Sequence, residues 1–251
     1  VTNRFQETAG LWRSLAIYYG NPLRHRQMAR FYAELIRPGD LCYDIGAHVG
    51  NRIRPWLGLG ARVVALEPQP QLMHLLQRLY GRSPRVTLLQ LAAGAALGQA
   101  TLLTSPGNPT VATLSAEWTD AVRRDPGFAN VTWEPGAPVA VTTLDELIAR
   151  YGPPAYCKID VEGFELAVLQ GVSQPLPLVS FEYIPVAIDR AEACVARLTA
   201  LGDYEFNWFE GESHRFESAV WLSAAQFAPV LASLATRRRS GDIFARRRSV
   251  A

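Results

Sequence analysis

Hydrophobic positions in this chain follow two periods. Over residues 1–36 they recur at helical spacing, as Leu15, Tyr18 and Tyr19 and then Met28, Phe31, Tyr32 and Leu35. After the break RPGD at 37–40 they contract into short apolar runs separated by amphipathic stretches. LCYDI, RVVALE, VTLLQLA, AYCKID and LVSFEY read as strands. Residues 51–58, QLMHLLQRLYG, TLDELIARYG, FELAVLQG and DRAEACVARLTALG read as the helices around them. This alternation predicts an α/β fold with a mostly parallel, doubly wound, seven-stranded sheet covered by helices on both faces. Local signals agree: Thr143 and Glu146 make a capping-box pattern, and Gly171 and Gly202 fall where helix C-caps belong.

Two stretches depart from the alternation. YEFNWF and RFESAVWL, joined by EGESH, predict a terminal antiparallel hairpin. Residues 98–142 hold QATLLT, VTWE and PVAVTT around the loop SPGNPTVATLS, too much for an ordinary connection, and read as an insert forming a lid or substrate wall. Asn108, Thr113, Ser115 and Trp118 are its candidate substrate contacts, with an ordinary exposed loop as the alternative. No Gly/Ser-rich or Pro-rich linker divides the 251 residues, so one domain is expected.

Composition narrows the class. With 49% hydrophobic residues and a mean hydropathy of +0.01 the chain is globular in type. Its apolar runs fall far short of the roughly 20 residues that a membrane span needs. The first twenty residues lack the basic start and apolar core of a secretory signal. Cys42, Cys157 and Cys194 are scattered and odd in number, which suggests neither a disulfide framework nor a zinc site. A cytoplasmic location is expected, with no metal assigned. Net charge is +2, but six arginines lie at 237–239 and 246–248; without them 25 − 6 = 19 positive charges face 23 negative ones. Residues 237–251 therefore read as a basic tail on an acidic body. A solvated tail is the simpler reading, and contact with nucleic acid or an anionic membrane is the alternative.

Candidate chemistry begins at LCYDIGAHVGN, where a strand ends in Asp44 and turns through Gly46, Ala47, His48 and Gly50 to Asn51 and a helix. Glycines let backbone N–H groups approach a ligand, and a helix N-terminus favours an anionic group. The spacing is not G-x-G-x-x-G. A carboxylate beside the first glycine suits a ligand that carries an amino group next to a carboxylate, as the methionine end of S-adenosylmethionine does. Glu67 ends the second strand at the position of an acid that accepts ribose hydroxyls, with Pro68 starting the next helix near the adenine. Ala92 and Ala93 leave room for a flat base. His48 is read as a contact to the methionine part.

YCKID runs beside the first strand in a doubly wound order, so Asp160 opens into the same crevice. DIGAHVGN, ALEPQP, VTTLDEL and KIDVEGFELAVLQG, in this order between about Arg37 and Glu182, resemble the FkbM family of S-adenosylmethionine-dependent methyltransferases. His48 departs from that pattern, where asparagine is common. The resemblance implies a class I, Rossmann-like methyltransferase domain, S-adenosylmethionine as cofactor, and O-methylation of a hydroxyl on a small molecule such as a sugar, glycan or polyketide-type metabolite. Attack by an alcohol asks for a base or a metal ion. Asp160 is the candidate base or orienting group, or else a carboxylate at a helix N-terminus. Glu182 is the candidate to hold the hydroxyl or a divalent ion. Glu162 and Glu165 read as cap and surface residues, with Glu162 also within reach of cofactor or substrate.

Lys158, the only lysine, shares a strand face with Asp160 and is expected to pair with Asp160 or Glu182. Two rival functions follow from the same residues. One is an NAD-dependent oxidoreductase, since Glu67 would also serve its ribose. The other is a non-catalytic or nucleic-acid-binding module that uses the arginine-rich tail.

Overall fold

The computed structural model describes residues 19–20, 22–105, 108–123, 125, 128 and 131–248; Leu15, Tyr18 and 249–251 lie outside the described residues. After α1 (Pro22–Ala33), strand β1 (Leu41–Ile45) turns through the glycine loop into α2 (Ile53–Gly58). β2 (Arg62–Leu66), α3 (Pro70–Tyr80) and β3 (Val86–Leu89) continue the alternation. The insert contributes β5 (Gly98–Thr104), α4 (Ala116–Val122) and β6 (Glu134–Thr142), and with β4 (Ala92–Ala93) just before it its strands form a separate three-stranded sheet in the order β4-β6-β5. The expected third strand therefore stops at Leu89, and Ala92–Ala93 pairs with the insert instead.

The second half runs α5 (Leu144–Tyr151), β7 (Tyr156–Ile159), α6 (Glu165–Gln170), β8 (Leu178–Tyr183) and α7 (Ile188–Leu201). It closes with β9 (Tyr204–Glu210), β10 (Leu222–Ser223), α8 (Ala224–Leu234) and β11 (Gly241–Arg247). The Thr143 hydroxyl accepts from the Glu146 N–H as the cap pattern predicts. Gly171 and Gly202 are the C-caps of α6 and α7.

The main sheet has eight strands in the order β10-β9-β11-β8-β7-β1-β2-β3. From β3 to β8 all pairs are parallel, as predicted. The antiparallel ending is real, but its principal strand is not RFESAVWL, of which only Leu222 reaches the two-residue β10. β11 lies between β8 and β9 and runs antiparallel to both. The segment read as a basic tail is thus an inner strand from Gly241 to Arg247. Gly241 to Ala245 are buried, and solvent exposure returns only at Arg246. Five apolar-leaning residues between two arginine triplets are too short to outweigh the flanking charge in a compositional reading. Three of those arginines are also paired: Arg237 with Glu210 at 3.5 Å, Arg246 with Glu205 at 3.3 Å and Arg248 with Asp203 at 3.7 Å.

Strand alternation divides the core. Tyr43, Ile45, Cys157, Ile159, Val179 and Phe181 face helices α5 to α8. Cys42, Val63, Ala65, Tyr156 and Phe244 face α1 to α3, where Tyr32, Trp56 and Tyr156 meet with ring centroids 5.4–5.8 Å apart. Each such aromatic pair contributes about 0.5–1.5 kcal/mol beyond area burial. On this second face the register places Asp44 beside Lys158 and Lys158 beside Ser180. All three are fully buried. Among the described residues no helix is long and apolar enough to cross a membrane.

Candidate active site

The glycine loop is shaped by what lies under it. Gly46 adopts φ +83°, and a Cβ there would sit 1.9 Å from the Asp160 carbonyl oxygen, so only glycine lets the loop after β1 rest on the loop after β7. The Gly46 and Ala47 N–H groups both donate to the Leu66 carbonyl at 3.0 and 2.8 Å, tying the loop to the end of β2. Ala47 is buried in the core. Gly50 packs closely against Leu76 and Tyr80.

Two cavities open at the carboxyl ends of the strands, and Gly46, His48, Thr110, Asp160 and Glu162 line both. The first is largely apolar. Leu66, Pro68, Ala92, Ala93 and Leu102 surround Glu67, and Thr113 and Leu114 of the insert close it. Glu67 is buried, and its two oxygens accept N–H groups from His48 and Gln69 at 2.9 Å each. Burial still pushes its carboxyl up to about 7. Pro68 lines this cavity but does not start a helix; α3 begins at Pro70 with Gln69 as its N-cap.

The second cavity is polar. Asn51, Arg52, Glu182, Glu212, His214 and Asp242 ring it, with Met28, Tyr32 and Phe209 as its apolar side. Asp160, Glu162 and Glu182 each bring a carboxylate oxygen to within 4.8 Å of the others, a spacing at which acids compete for one proton or cation. Glu162 stands in the left-handed region at φ 52°. Burial and the neighbouring acids push the Glu162 and Glu182 carboxyls well above the usual range. Asp160 goes the other way, to about 2, because Lys158 and Arg52 beside it outweigh the effect of burial.

A chain of charges runs beneath both cavities. Asp44 is fully buried, and among the described residues neither of its oxygens has a hydrogen-bond partner; its nearest cation there is Arg52, 3.8 Å away. Burial raises its carboxyl to about 6. Asp44 does not line either cavity but lies behind their shared wall. Arg52 reaches forward to donate to Asp160. Lys158, fully buried, donates to Asp242 at 2.7 Å and lies 3.7 Å from Asp160. The expected Lys158–Asp160 neighbourhood is present. The alternative partner Glu182 gives way to Asp242, which reading 237–251 as a tail had removed from consideration.

Other residues take different places from those expected. Trp118 is buried against Phe128, Trp133 and Gly163, where a Cβ would lie 2.1 Å from the indole, so it packs the insert and does not face a substrate. The Ser115 hydroxyl caps α4 and accepts from Arg190. Asn108 accepts from Thr110 inside its own loop. Thr113 donates to the Glu162 carbonyl at 2.7 Å, linking the insert to the loop after β7. Glu165 is not a surface residue: it is buried and accepts the Val161 and Gly163 N–H groups. Burial lowers the His48 ring to about 4, which keeps it neutral. Arg52, Thr110, Glu212, His214 and Asp242 carried no motif signal, since each is an ordinary polar residue until the fold gathers them.

A family model described as the methyltransferase FkbM domain matches residues 44–198. A methyltransferase FkbM from Methylobacillus flagellatus KT is similar in structure at TM-score 0.50 and 16% identity. The alignment covers 86% of this chain and 50% of that one, so this chain spans half of the Methylobacillus protein's length. A TehB-like S-adenosylmethionine-dependent methyltransferase from Corynebacterium glutamicum aligns at TM-score 0.47 and 13% identity, covering 94% of both chains. No curated protein matches the sequence.

Proposed function

This chain belongs to the FkbM methyltransferase family, and from that premise we propose that it transfers a methyl group from S-adenosylmethionine to a hydroxyl of a small, polar, non-anionic acceptor. The observation that carries this reading is the pair of cavities, one apolar and one acid-lined, that meet at Gly46, His48, Thr110, Asp160 and Glu162. The residues fit the cofactor. Pro68, Ala92, Ala93 and Leu102 suit an adenine, and the second lone pairs of Glu67 suit ribose hydroxyls. The buried Asp44, to whose oxygens no described residue donates, suits an amino group reached through water. When bound, S-adenosylmethionine supplies a methyl group already activated on a sulfonium.

What remains for the protein is to align the acceptor oxygen and take its proton. Asp160, held ionised by Arg52 and Lys158, is a weak base and acts as a fixed negative charge at the seam of the cavities. One of Glu162 and Glu182 is the proton acceptor: burial and mutual repulsion leave one of the pair holding a proton and make the ionised one a stronger base than Asp160. Carboxylates on the wall accept hydroxyl hydrogen bonds and repel phosphate or carboxylate, so a neutral or amino-bearing polyol fits where a sugar phosphate does not.

Calorimetry with S-adenosylhomocysteine and with NAD tests the cofactor. Binding of the first and not the second is expected, and the reverse overturns the reading. Transfer of a labelled methyl group to neutral sugars, amino sugars and sugar phosphates tests the acceptor. Glu182→Gln should then lower kcat roughly a hundredfold at unchanged cofactor affinity. An unchanged kcat removes Glu182 from the chemistry.

A further inference from the structure

The inner strand β11 does more than complete the sheet. It sets Asp242 directly across from Glu182 on β8 and 2.7 Å from the Lys158 ammonium. Lys158 is fully buried, and its other near acceptors are distant: the Asp160 carboxylate at 3.7 Å and the Ile159 carbonyl at 3.4 Å. Arg52 donates to the same Asp160 Oδ2 that Lys158 approaches, and in turn lies 3.8 Å from Asp44. Along the line Asp44, Arg52, Asp160, Lys158 and Asp242 the sign of charge alternates at every step. We propose that Asp242 is a positioning residue: by anchoring Lys158 it fixes the Asp160 carboxylate at the seam of the two cavities, so that β11 completes the transfer site.

A lysine head is a compact charge on a flexible stem, with three donors and no preferred plane. One close anchor decides where it points. With Asp242 in place the head is held from the β11 side, and two fixed cations converge on Asp160 Oδ2, which holds that oxygen in place. Without Asp242 the head moves toward Asp160 or the Ile159 carbonyl, and only Arg52 stays fixed on that oxygen. Asp242 also stands beside Glu182, and like charges directly opposite on neighbouring strands destabilise each other. Lys158 offsets that repulsion, so that both acids are tolerated on one cavity wall.

The mechanistic meaning of this inference rests on the methyl-transfer reading; its test does not. Because Lys158 is the only lysine, growth on 13C,15N-lysine gives a single side-chain NMR signal from this sequence. In the wild type, adding S-adenosylmethionine and, separately, introducing Asp160→Asn should each displace that signal. In Asp242→Asn, cofactor affinity should stay within about threefold while both displacements change in size and kcat falls at least roughly tenfold. Asp242→Glu should restore them in part. Displacements of the same size in Asp242→Asn as in the wild type would overturn the proposal, whatever happens to the melting temperature. If the wild type binds no S-adenosylmethionine, the methyl-transfer reading fails, and the response to Asp160→Asn still decides the positioning role. Should Asp242→Asn not fold, Lys158→Met/Asp242→Leu removes both charges, a change that buried pairs often tolerate. Its crystal structure should then show Asp160 turned from the seam; an unmoved Asp160 would overturn the proposal.

Discussion

The two cavities are made of different material. The apolar one is built from four short stretches around 45–48, 66–69, 91–93 and 160–164, closed by the insert. The acid-lined one draws side chains from α1, the glycine loop, the loop after β7, β8, the β9–β10 turn and β11. The apolar cavity is met by local turns that a sequence displays. The acid-lined cavity is made by charges that only the tertiary fold brings together.

The largest test of this contrast is to end the chain after Ser240. Loss of β11 unpairs both β8 and β9 and strips Ile243 and Phe244 from the core. The expected product has no cooperative thermal transition by circular dichroism. A folded product that still binds S-adenosylhomocysteine would show that the cofactor half stands alone.

Next in size is Gly46→Ala. A positive φ and a contact with the Asp160 carbonyl should cost about 3 kcal/mol in denaturant unfolding, and cofactor binding should fall below detection by calorimetry. A normal affinity would mean that the loop shape is not what the cofactor reads.

A smaller effect, of opposite sign for folding and binding, is expected at Asp44. Its folded pKa of about 6 lies above the unfolded value near 3.8, so the native state holds the extra proton between those values. Stability of the ligand-free protein should therefore fall as pH rises from about 4 to 6, by on the order of 2 kcal/mol from this group. Glu67, raised to about 7 by burial, adds the same sign over about pH 4.5 to 7. Asp44→Asn should flatten the first part of that profile in urea titrations while weakening S-adenosylhomocysteine. Equal affinity in Asp44→Asn and the wild type would remove Asp44 from the cofactor site.

The smallest effect belongs to Arg246→Ala. This residue lies over the Trp221 ring, 4.4 Å from its centroid, and beside Glu205 on the outer part of β11. A loss under about 1 kcal/mol is expected. A larger loss would mean that the outer arginines carry part of the sheet's stability.

How much of this was legible follows the same division. The turn from Gly46 to Asn51, the acid Glu67 and the KIDVEG stretch are each local, and motif and spacing alone point to the strand ends where the cavities lie. The hydrophobic alternation gave the parallel half of the sheet because those strands are buried on both faces. Asp242 escaped because its strand sits between arginine triplets, where composition outweighs a five-residue pattern. Arg52 looked like the start of a helix, and only the loop's fold turns it toward Asp160. Trp118 was misread because nothing in the sequence tells an aromatic that packs an insert from one that faces a ligand.

The place of β11 also bears on how the protein is made. It enters between strands that leave the ribosome before it, and its pairing with β8 and β9 spans long sequence separations, the slow part of sheet assembly. Until it arrives, β8 and β9 have a gap between them and Lys158 lacks its closest counter-charge. A nascent or prematurely ended chain therefore lacks the β11 wall of the acid-lined cavity and leaves the edges of β8 and β9 unpaired. Synthesis through this strand becomes a condition for completing that cavity.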